Sequence, residues 1–255
     1  MRSVVAQIEG LNQRGGRMLT AADLLAAGTV DLELMAYLMR CMHRGASVIT
    51  CAGPGGTGKT TLLGALLCFL PPDIELKVVH GGESYQDGGV CYLCHELGHG
   101  WFSYLWGADA RALLEVAEAA DRRYCATTAH ADDLDELRQL LTATEIALSY
   151  RTFAHLDLVI FMRRFARFGR PLRRVTMVYR GTGDPRQSHD LVCRWDGGTD
   201  AFVWPRPDGD GLQTAAPVED ELEDYRAFLE FLLRERIVRV ADVRKAVLDF
   251  YSQMI

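Results

Sequence analysis

A glycine-rich stretch early in the chain restricts its fold more than any other feature. Residues 53–61 read Gly-Pro-Gly-Gly-Thr-Gly-Lys-Thr-Thr and fit the pattern G-x-x-x-x-G-K-[ST] of a phosphate-binding loop. Residues 47–51 before it are mostly apolar and β-branched, which predicts a buried strand. The apolar residues 62–70 after it predict a helix that ends before Pro71. This order of strand, loop and helix predicts an α/β fold built around the loop.

The residue types of the loop suit the binding of ATP together with Mg²⁺. Glycines let backbone N–H groups approach phosphate oxygens, and the N-terminus of the following helix adds positive potential. Lys59 is expected to neutralise β- and γ-phosphate charge, and the Thr60 hydroxyl is expected to ligate Mg²⁺. The predicted nucleotide-binding residues are Gly53, Pro54, Gly55, Gly56, Thr57, Gly58, Lys59, Thr60 and Thr61.

Composition and charge limit the other classes of function. The net charge of −6 opposes general nucleic-acid binding, which needs a basic surface. No apolar run reaches membrane-spanning length and the first residues lack a signal-peptide core, so we expect a cytoplasmic protein. Seven cysteines, an odd number without a disulfide-like spacing, predict reduced buried thiols.

Strand and helix patterns divide the chain into three predicted parts. Residues 1–45 form an N-terminal helical segment, and residues 46–205 form the domain that carries the loop. Residues 206–255 form an acidic linker and a C-terminal helical segment. Strands predicted at 74–79, 90–94 and 124–128 alternate with helices at 110–117 and 132–148, which favours a mainly parallel sheet with helices on both faces. Residues 156–162 and 174–179 predict a β-hairpin extension.

A second motif lies at the end of the strand predicted at 124–128. Residues 127–132 read Thr-Thr-Ala-His-Ala-Asp and place His130 where open α/β sheets hold ligand-contacting groups. With the loop, the hairpin region 153–179 and the C-terminal helix pair, this motif resembles the ATPases of type II secretion, pilus assembly and type IV secretion. The resemblance covers about residues 20–255 and rests mainly on the loop and on the similarity of 127–132 to that family's His box.

The resemblance implies both a fold and a role. It implies a RecA-like P-loop NTPase in a homo-oligomeric, hexameric ring that works beside a membrane-embedded assembly or secretion platform. ATP hydrolysis would then be coupled to subunit motion, with His130 as a γ-phosphate sensor or interface contact.

Three departures from the family pattern concern catalysis. The family's Walker B glutamate is matched by Ala108, and Asp109 and Glu96 are the candidate substitutes. The family's Asp box normally reads Glu-Asp, and in this sequence only Glu83 matches it. No arginine or lysine occurs from 78 to 109, where the family carries arginines that stabilise transition-state charge across the subunit interface. The candidate catalytic residues are Lys59, Glu96, Asp109 and His130. A non-hydrolysing, nucleotide-binding regulator of such a machine is the alternative.

Six arginines between 163 and 174 lie in the predicted hairpin without an acidic residue among them. Such a run is typical of a solvated face. Contact with phosphate or with a neighbouring subunit is the other interpretation.

Zinc chemistry is a competing hypothesis. Residues 95–99 read His-Glu-Leu-Gly-His, the H-E-x-x-H motif in which two histidines on one helix face bind Zn²⁺ and Glu96 activates water. Glu118 has the spacing of a third ligand. Cys91 and Cys94 with the same two histidines are an alternative, structural Cys₂His₂ site.

Overall fold

The computed structural model describes residues 3–12, 15–53, 55–100, 103–119, 121–167, 169–205 and 219–254. These residues fold around one ten-stranded sheet. The strands are β1 (Val48–Cys51), β2 (Glu75–Val78), β3 (Val90–Leu93), β4 (Glu96–Leu97), β5 (Tyr104–Leu105), β6 (Arg123–Ala129), β7 (Leu158–Arg167), β8 (Arg170–Gly181), β9 (His189–Asp196) and β10 (Ala201–Val203). The helices are α1 (Val4–Gly10), α2 (Ala21–Ala26), α3 (Leu32–His43), α4 (Lys59–Leu67), α5 (Gly107–Leu114), α6 (Leu134–Thr142), α7 (Tyr150–Ala154), α8 (Glu223–Arg234) and α9 (Val240–Gln253).

The middle of the sheet is parallel and one side is antiparallel. The strands follow the order β10-β9-β8-β7-β1-β6-β3-β2, and those from β7 to β2 run parallel. Strands β7 to β10 are antiparallel, as the predicted hairpin requires. Strand β1 therefore lies inside the parallel region, between β6 and β7, and delivers the glycine-rich loop to the edge where those strands end. The predicted α/β class with a mainly parallel centre is confirmed.

Helices cover both faces of the sheet because neighbouring strand residues point to opposite sides. Val48 packs in a core with α1–α4, α8 and α9, whereas Ile49 packs in a second core with α5, α6 and α7. The N-terminal and C-terminal helices thus share one core with the helix that follows the loop. No helix in the described ranges is long and apolar enough to cross a bilayer.

Polar side chains define where several helices begin. Asp31 accepts a hydrogen bond of 2.8 Å from Leu34 N at the start of α3, and Thr20 forms a capping box with Asp23 at the start of α2. Asp133 caps α6 in the same way, with Glu136 N at 2.9 Å. Each cap satisfies backbone donors that have no partner inside the helix.

The helix predicted over residues 132–148 is shorter in the structure. Helix α6 ends at Thr142, and Ala147 adopts a φ of +53°, which is incompatible with continuing the helix. The turn buries Ile146 and Leu148 in the core of the α5–α7 face, and Leu148 N donates to Leu141 O. Tertiary burial of these two side chains has overridden the local helical pattern.

The C-terminal helices lie against the end of α4. Tyr251 Oη donates a hydrogen bond of 2.8 Å to Phe69 O, and the Arg244 guanidinium donates to the carbonyl oxygens of Cys68 and Pro71 at 3.1 and 3.2 Å. These contacts satisfy carbonyl groups that a helix C-terminus leaves without partners. The predicted acidic linker, through residue 218, lies outside the described residues.

Candidate nucleotide-binding site

The glycine-rich loop joins the end of β1 to the start of α4. Helix α4 begins at Lys59, three residues before the predicted start at 62, so its first turn belongs to the motif itself. Gly56 and Gly58 have φ values of +81° and +106°, a region in which residues with a side chain are strained. A Cβ at Gly53 would lie 2.5 Å from Asp132 Oδ2, so any larger residue there would displace the Asp132 carboxylate. Pro54 lies outside the described residues.

The Lys59 ammonium group is buried at the base of the loop. Its Nζ lies 3.3 Å from Ala52 O and 3.2 Å from His130 Nδ1. In the described ranges no carboxylate is within ion-pair distance of Nζ. Burial lowers the pKa of Lys59, and the nearby Glu96 carboxylate partly opposes this effect. A buried cation without a counter-ion fits an anionic group in the loop.

Two hydroxyl groups add to this fit. Thr57 Oγ1 is buried and has no hydrogen-bond partner among the described atoms. Thr60 lies in the first turn of α4 and is partly exposed, so its hydroxyl remains available to a ligand. An anion with a divalent cation at the N-terminus of this helix is therefore compatible with the residues present.

His130 follows β6 directly and connects the loop to an acidic residue. Its Nδ1 donates a hydrogen bond of 2.6 Å to Gly53 O, and its Nε2 lies 3.3 Å from Glu96 Oε1. Its side chain is about half exposed, at 46%. Lys59, His130 and Glu96 thus form one connected set at the ends of β1, β6 and β3.

Glu96 is fixed in this set by strand pairing. It begins β4, which continues beyond β3 and pairs with β6 through Leu97 and Ala129. Thr128 Oγ1 donates to His95 O at 3.0 Å and lies 3.4 Å from Glu96 Oε2. Both carboxylate oxygens of Glu96 therefore have neighbours in the site.

Asp109, the other candidate substitute, lies in the first turn of α5. Its Oδ1 accepts a hydrogen bond of 2.9 Å from Gly82 N. Glu83 accepts from His80 N at 3.0 Å and lies 3.9 Å from Lys77. Neither carboxylate contacts Lys59 or His130, so of these acids the structure brings only Glu96 into the set. The catalytic role of each residue stays a prediction.

The zinc-peptidase hypothesis is wrong in its geometry. Residues 95–99 form a two-residue strand flanked by bends, whereas the H-E-x-x-H mechanism requires a helix. Glu118 accepts a hydrogen bond from Thr152 and pairs with Arg151. Within the described ranges no three His, Cys, Asp or Glu residues are placed to hold a metal ion.

The alternative Cys₂His₂ site fails for a related reason. Cys91 packs in the core of the α4 face, while Cys94 packs in the core of the opposite face, so the two thiols cannot share an ion. Burial also raises the pKa of both thiols, which disfavours the thiolate that binds zinc. All seven cysteines are free, and apart from the half-buried Cys41 they are buried, in agreement with the predicted reduced thiols.

The arginine cluster divides between structural and loop contacts. Arg174 is buried and forms a bidentate pair with Asp200, at 2.9 and 3.1 Å. Arg173 Nε donates to Gly56 O at 3.2 Å, and Arg163 Nη2 donates to Asp132 O at 3.4 Å. The sequence motif contained Asp132, but nothing in the sequence pointed to its hydrogen bond of 3.1 Å from Gly53 N.

The fold and this site define an α/β protein with a mainly parallel central sheet and a glycine-rich loop between strand β1 and the following helix. No family model matches the chain. An uncharacterized protein of Methanocaldococcus jannaschii, MJ0900, is 24% identical over 266 residues, which cover 92% of this chain and 47% of that protein. A second uncharacterized protein of that organism, MJ1287, is 38% identical over 74 residues, or 29% of this chain and 25% of that protein. The chain therefore spans about half the length of the first relative.

Two solved structures are similar to this fold. The VirB11 ATPase of the Brucella suis type IV secretion system is 19% identical with a TM-score of 0.43, over 72% of this chain and 63% of that one. The Legionella pneumophila ATPase DotB is 14% identical with a TM-score of 0.44, over 64% of this chain and 55% of that one. Both are described as ATPases.

Proposed function

We propose that this chain is an ATPase that binds ATP with Mg²⁺ in the loop at residues 53–61. The connected set of Lys59, His130 and Glu96 carries the proposal. It supplies a buried cation at the start of α4, a half-exposed imidazole after β6 and a carboxylate at the start of β4. A cation that binds phosphate and a carboxylate that positions water are groups that catalyse phosphoryl transfer to water.

Each residue has a separate task in the proposed reaction. Lys59 moves from Ala52 O and His130 to the β- and γ-phosphates, where the N–H groups at the start of α4 also point. The Thr60 hydroxyl would hold Mg²⁺, which would neutralise phosphate charge when bound. Glu96 orients the attacking water and accepts its proton. His130, released from Gly53 O, senses the γ-phosphate.

A second candidate, binding without hydrolysis, is favoured by the contacts of Glu96. Its Oε1 faces His130 at 3.3 Å and its Oε2 faces Thr128 at 3.4 Å, so both oxygens already have protein neighbours in this arrangement. If these contacts persist with nucleotide bound, the chain acts as a nucleotide-sensing regulator.

We also propose that nucleotide state drives subunit motion in a cytoplasmic homo-oligomeric ring beside a membrane-embedded secretion or assembly platform. The resemblance of the loop, of residues 127–132 and of the hairpin to secretion ATPases supports this wider role. Size-exclusion chromatography with light scattering, with and without ATP, measures the assembly. A monomer under both conditions would contradict the ring.

The experiment combines calorimetric titration of ATP with a phosphate-release assay. We expect Lys59→Ala to weaken ATP binding and Glu96→Gln to retain binding while phosphate release stops. Asp109→Asn keeps an acceptor for Gly82 N and is expected to leave both measurements near wild type. Absence of ATP binding by the wild-type protein would refute the proposal, whereas binding without phosphate release would select the regulator.

A further inference from the structure

The β7–β8 hairpin extends past the end of β1 and stands beside the glycine-rich loop. Strand β7 pairs with β1 as far as Cys51 and Phe161, then continues with β8 to Arg167. Arg163 is opposite Arg174 in this extension, and Arg164 is opposite Arg173. The hairpin therefore carries its arginines to the level of the loop of the same chain.

One of these arginines contacts the loop from the hairpin, and a second contacts Asp132, which is itself hydrogen-bonded to the loop. Arg173 Nε donates to Gly56 O at 3.2 Å, and its Cδ lies 3.5 Å from the position of a Cβ on Gly58. Arg163 Nη2 donates to Asp132 O at 3.4 Å, and Asp132 in turn accepts from Gly53 N. Arg173 is exposed, while Lys59 is buried beneath the same loop.

The charges of these arginines are not balanced by carboxylates. In the part of the chain that the structure describes, neither Arg163 nor Arg173 has an ion pair, although Arg174 beside them pairs with Asp200. A guanidinium held by one backbone carbonyl keeps further N–H donors for an anion. A phosphate group satisfies these donors bidentately.

We propose that Arg173 binds the γ-phosphate of ATP held by the loop of its own chain, with Arg163 of the same hairpin adding positive charge. This inference rests on the proposed nucleotide binding. It places the phosphate-binding cations in one subunit, which matters because residues 78–109 contain no arginine or lysine. Arg173 acts from the exposed side of the loop and Lys59 from beneath it. Because ADP lacks the γ-phosphate, ATP gains more from Arg173 than ADP does.

The test compares the affinities of Mg–ATP and Mg–ADP for wild type, Arg173→Gln and Arg173→Lys by calorimetric titration. We expect Arg173→Gln to weaken ATP binding by about ten- to a hundredfold, the range for one charge-assisted hydrogen-bonding group, with ADP binding nearly unchanged. Arg173→Lys keeps the positive charge but loses the planar guanidinium that donates two parallel hydrogen bonds, so its effect is expected to be intermediate. Arg194→Gln, on an exposed part of β9, is the matched control.

Equal weakening of ATP and ADP by Arg173→Gln, or no weakening of either, would overturn the proposal. Failure of the wild type to bind both nucleotides is a different result, because it refutes the nucleotide site itself. Circular dichroism of each variant checks that the fold is kept.

A mixing experiment separates action within one chain from action on a neighbour. Lys59→Ala chains, which retain Arg173, are mixed in equal amounts with Arg173→Gln chains, and tight ATP sites are counted. We expect no tight sites, because neither chain has both cations. Recovery of tight sites in the mixture would show that the arginine serves a neighbouring subunit and would contradict the proposal.

Discussion

Arg244 of α9 donates a hydrogen bond of 3.1 Å to Cys68 O, just past the last residue of the helix that begins at Lys59. Burial lowers the pKa of Arg244, so the protein holds a desolvated guanidinium at this position. The partial negative charge at the C-terminus of α4 compensates for that desolvation.

Replacement of Arg244 by methionine is therefore expected to destabilise the protein. The change leaves carbonyl groups at the end of α4 without partners, for a loss of about 3 kcal/mol in the free energy of unfolding. Urea denaturation measures the effect. Lys245→Met, at an exposed position of the same helix, is the control and is expected to change the free energy by less than about 0.5 kcal/mol.

The side chain of Gln7 in α1 forms hydrogen bonds with the backbone of β2, the strand at the outer edge of the sheet. Its Nε2 donates to Leu76 O at 2.5 Å, and its Oε1 accepts from Val78 N at 3.0 Å. Gln7→Ala removes both partners and is expected to lower stability by about 1–2 kcal/mol in thermal unfolding. Gln7→Glu is expected to be at least as damaging, because a carboxylate cannot donate to Leu76 O. Stability equal to wild type in both variants would argue against this edge contact.

The buried side chain of His189 is expected to make the protein less stable in acid. Burial lowers its pKa from 6.5 to about 4, and its Nδ1 has no hydrogen-bond partner in the described chain. As the pH falls, the imidazole is therefore protonated in the unfolded chain at a higher pH than in the folded protein. The contribution of neutral His189 to stability is complete above pH 6.5 and is lost as the pH approaches 4. The loss reaches about 3 kcal/mol.

Comparison with His189→Gln isolates this effect. Glutamine can still donate to Leu156 O, which accepts from His189 Nε2 at 3.1 Å, but it does not titrate. Urea denaturation at pH 7 and pH 4.5 should show a larger decrease for wild type than for the variant. Parallel decreases would mean that other groups cause the acid sensitivity.

Gly58 and Gly55 should respond differently to alanine although both belong to the loop. Gly58 has a φ of +106°, and an added Cβ would lie 3.3 Å from Met162 Cε, so Gly58→Ala is expected to lose about 1–2 kcal/mol of stability. Gly55 has nothing within 4 Å of an added Cβ. Differential scanning calorimetry of Gly55→Ala should give a melting temperature close to wild type. A similar decrease in both variants would contradict the backbone explanation.

The parts of the site that could be predicted from sequence are those encoded in short contiguous motifs. Lys59 and His130 each follow a recognisable strand, so their meeting at the ends of β1 and β6 follows from parallel pairing. Glu96 was a candidate for the catalytic carboxylate from sequence, but no sequence feature favoured it over Asp109. Its position depends on the pairing of Leu97 with Ala129, more than thirty residues away in sequence. The contact between Arg173 and Gly56 spans 117 residues and left no local signal.

The fold was predictable for a similar reason, with failures where tertiary contacts dominate. Strands such as β1 and β3 are short apolar runs buried on both faces, which periodicity detects. The histidines at 95 and 99 matched a helical metal motif, but the pairing of Glu96 and Leu97 with Tyr104 and Leu105 makes the segment extended. A motif search does not take this strand pairing into account.

Helix α4 is fixed by contacts at both of its ends. Its nine residues span about 14 Å, with Lys59 at the loop and the last carbonyl groups bound by the C-terminal helix. A short straight helix is stiff along its axis, and side chains pack closely around this one. Any axial shift of its first turn must therefore either lengthen the bonds to Arg244 and Tyr251 or carry α9 with it.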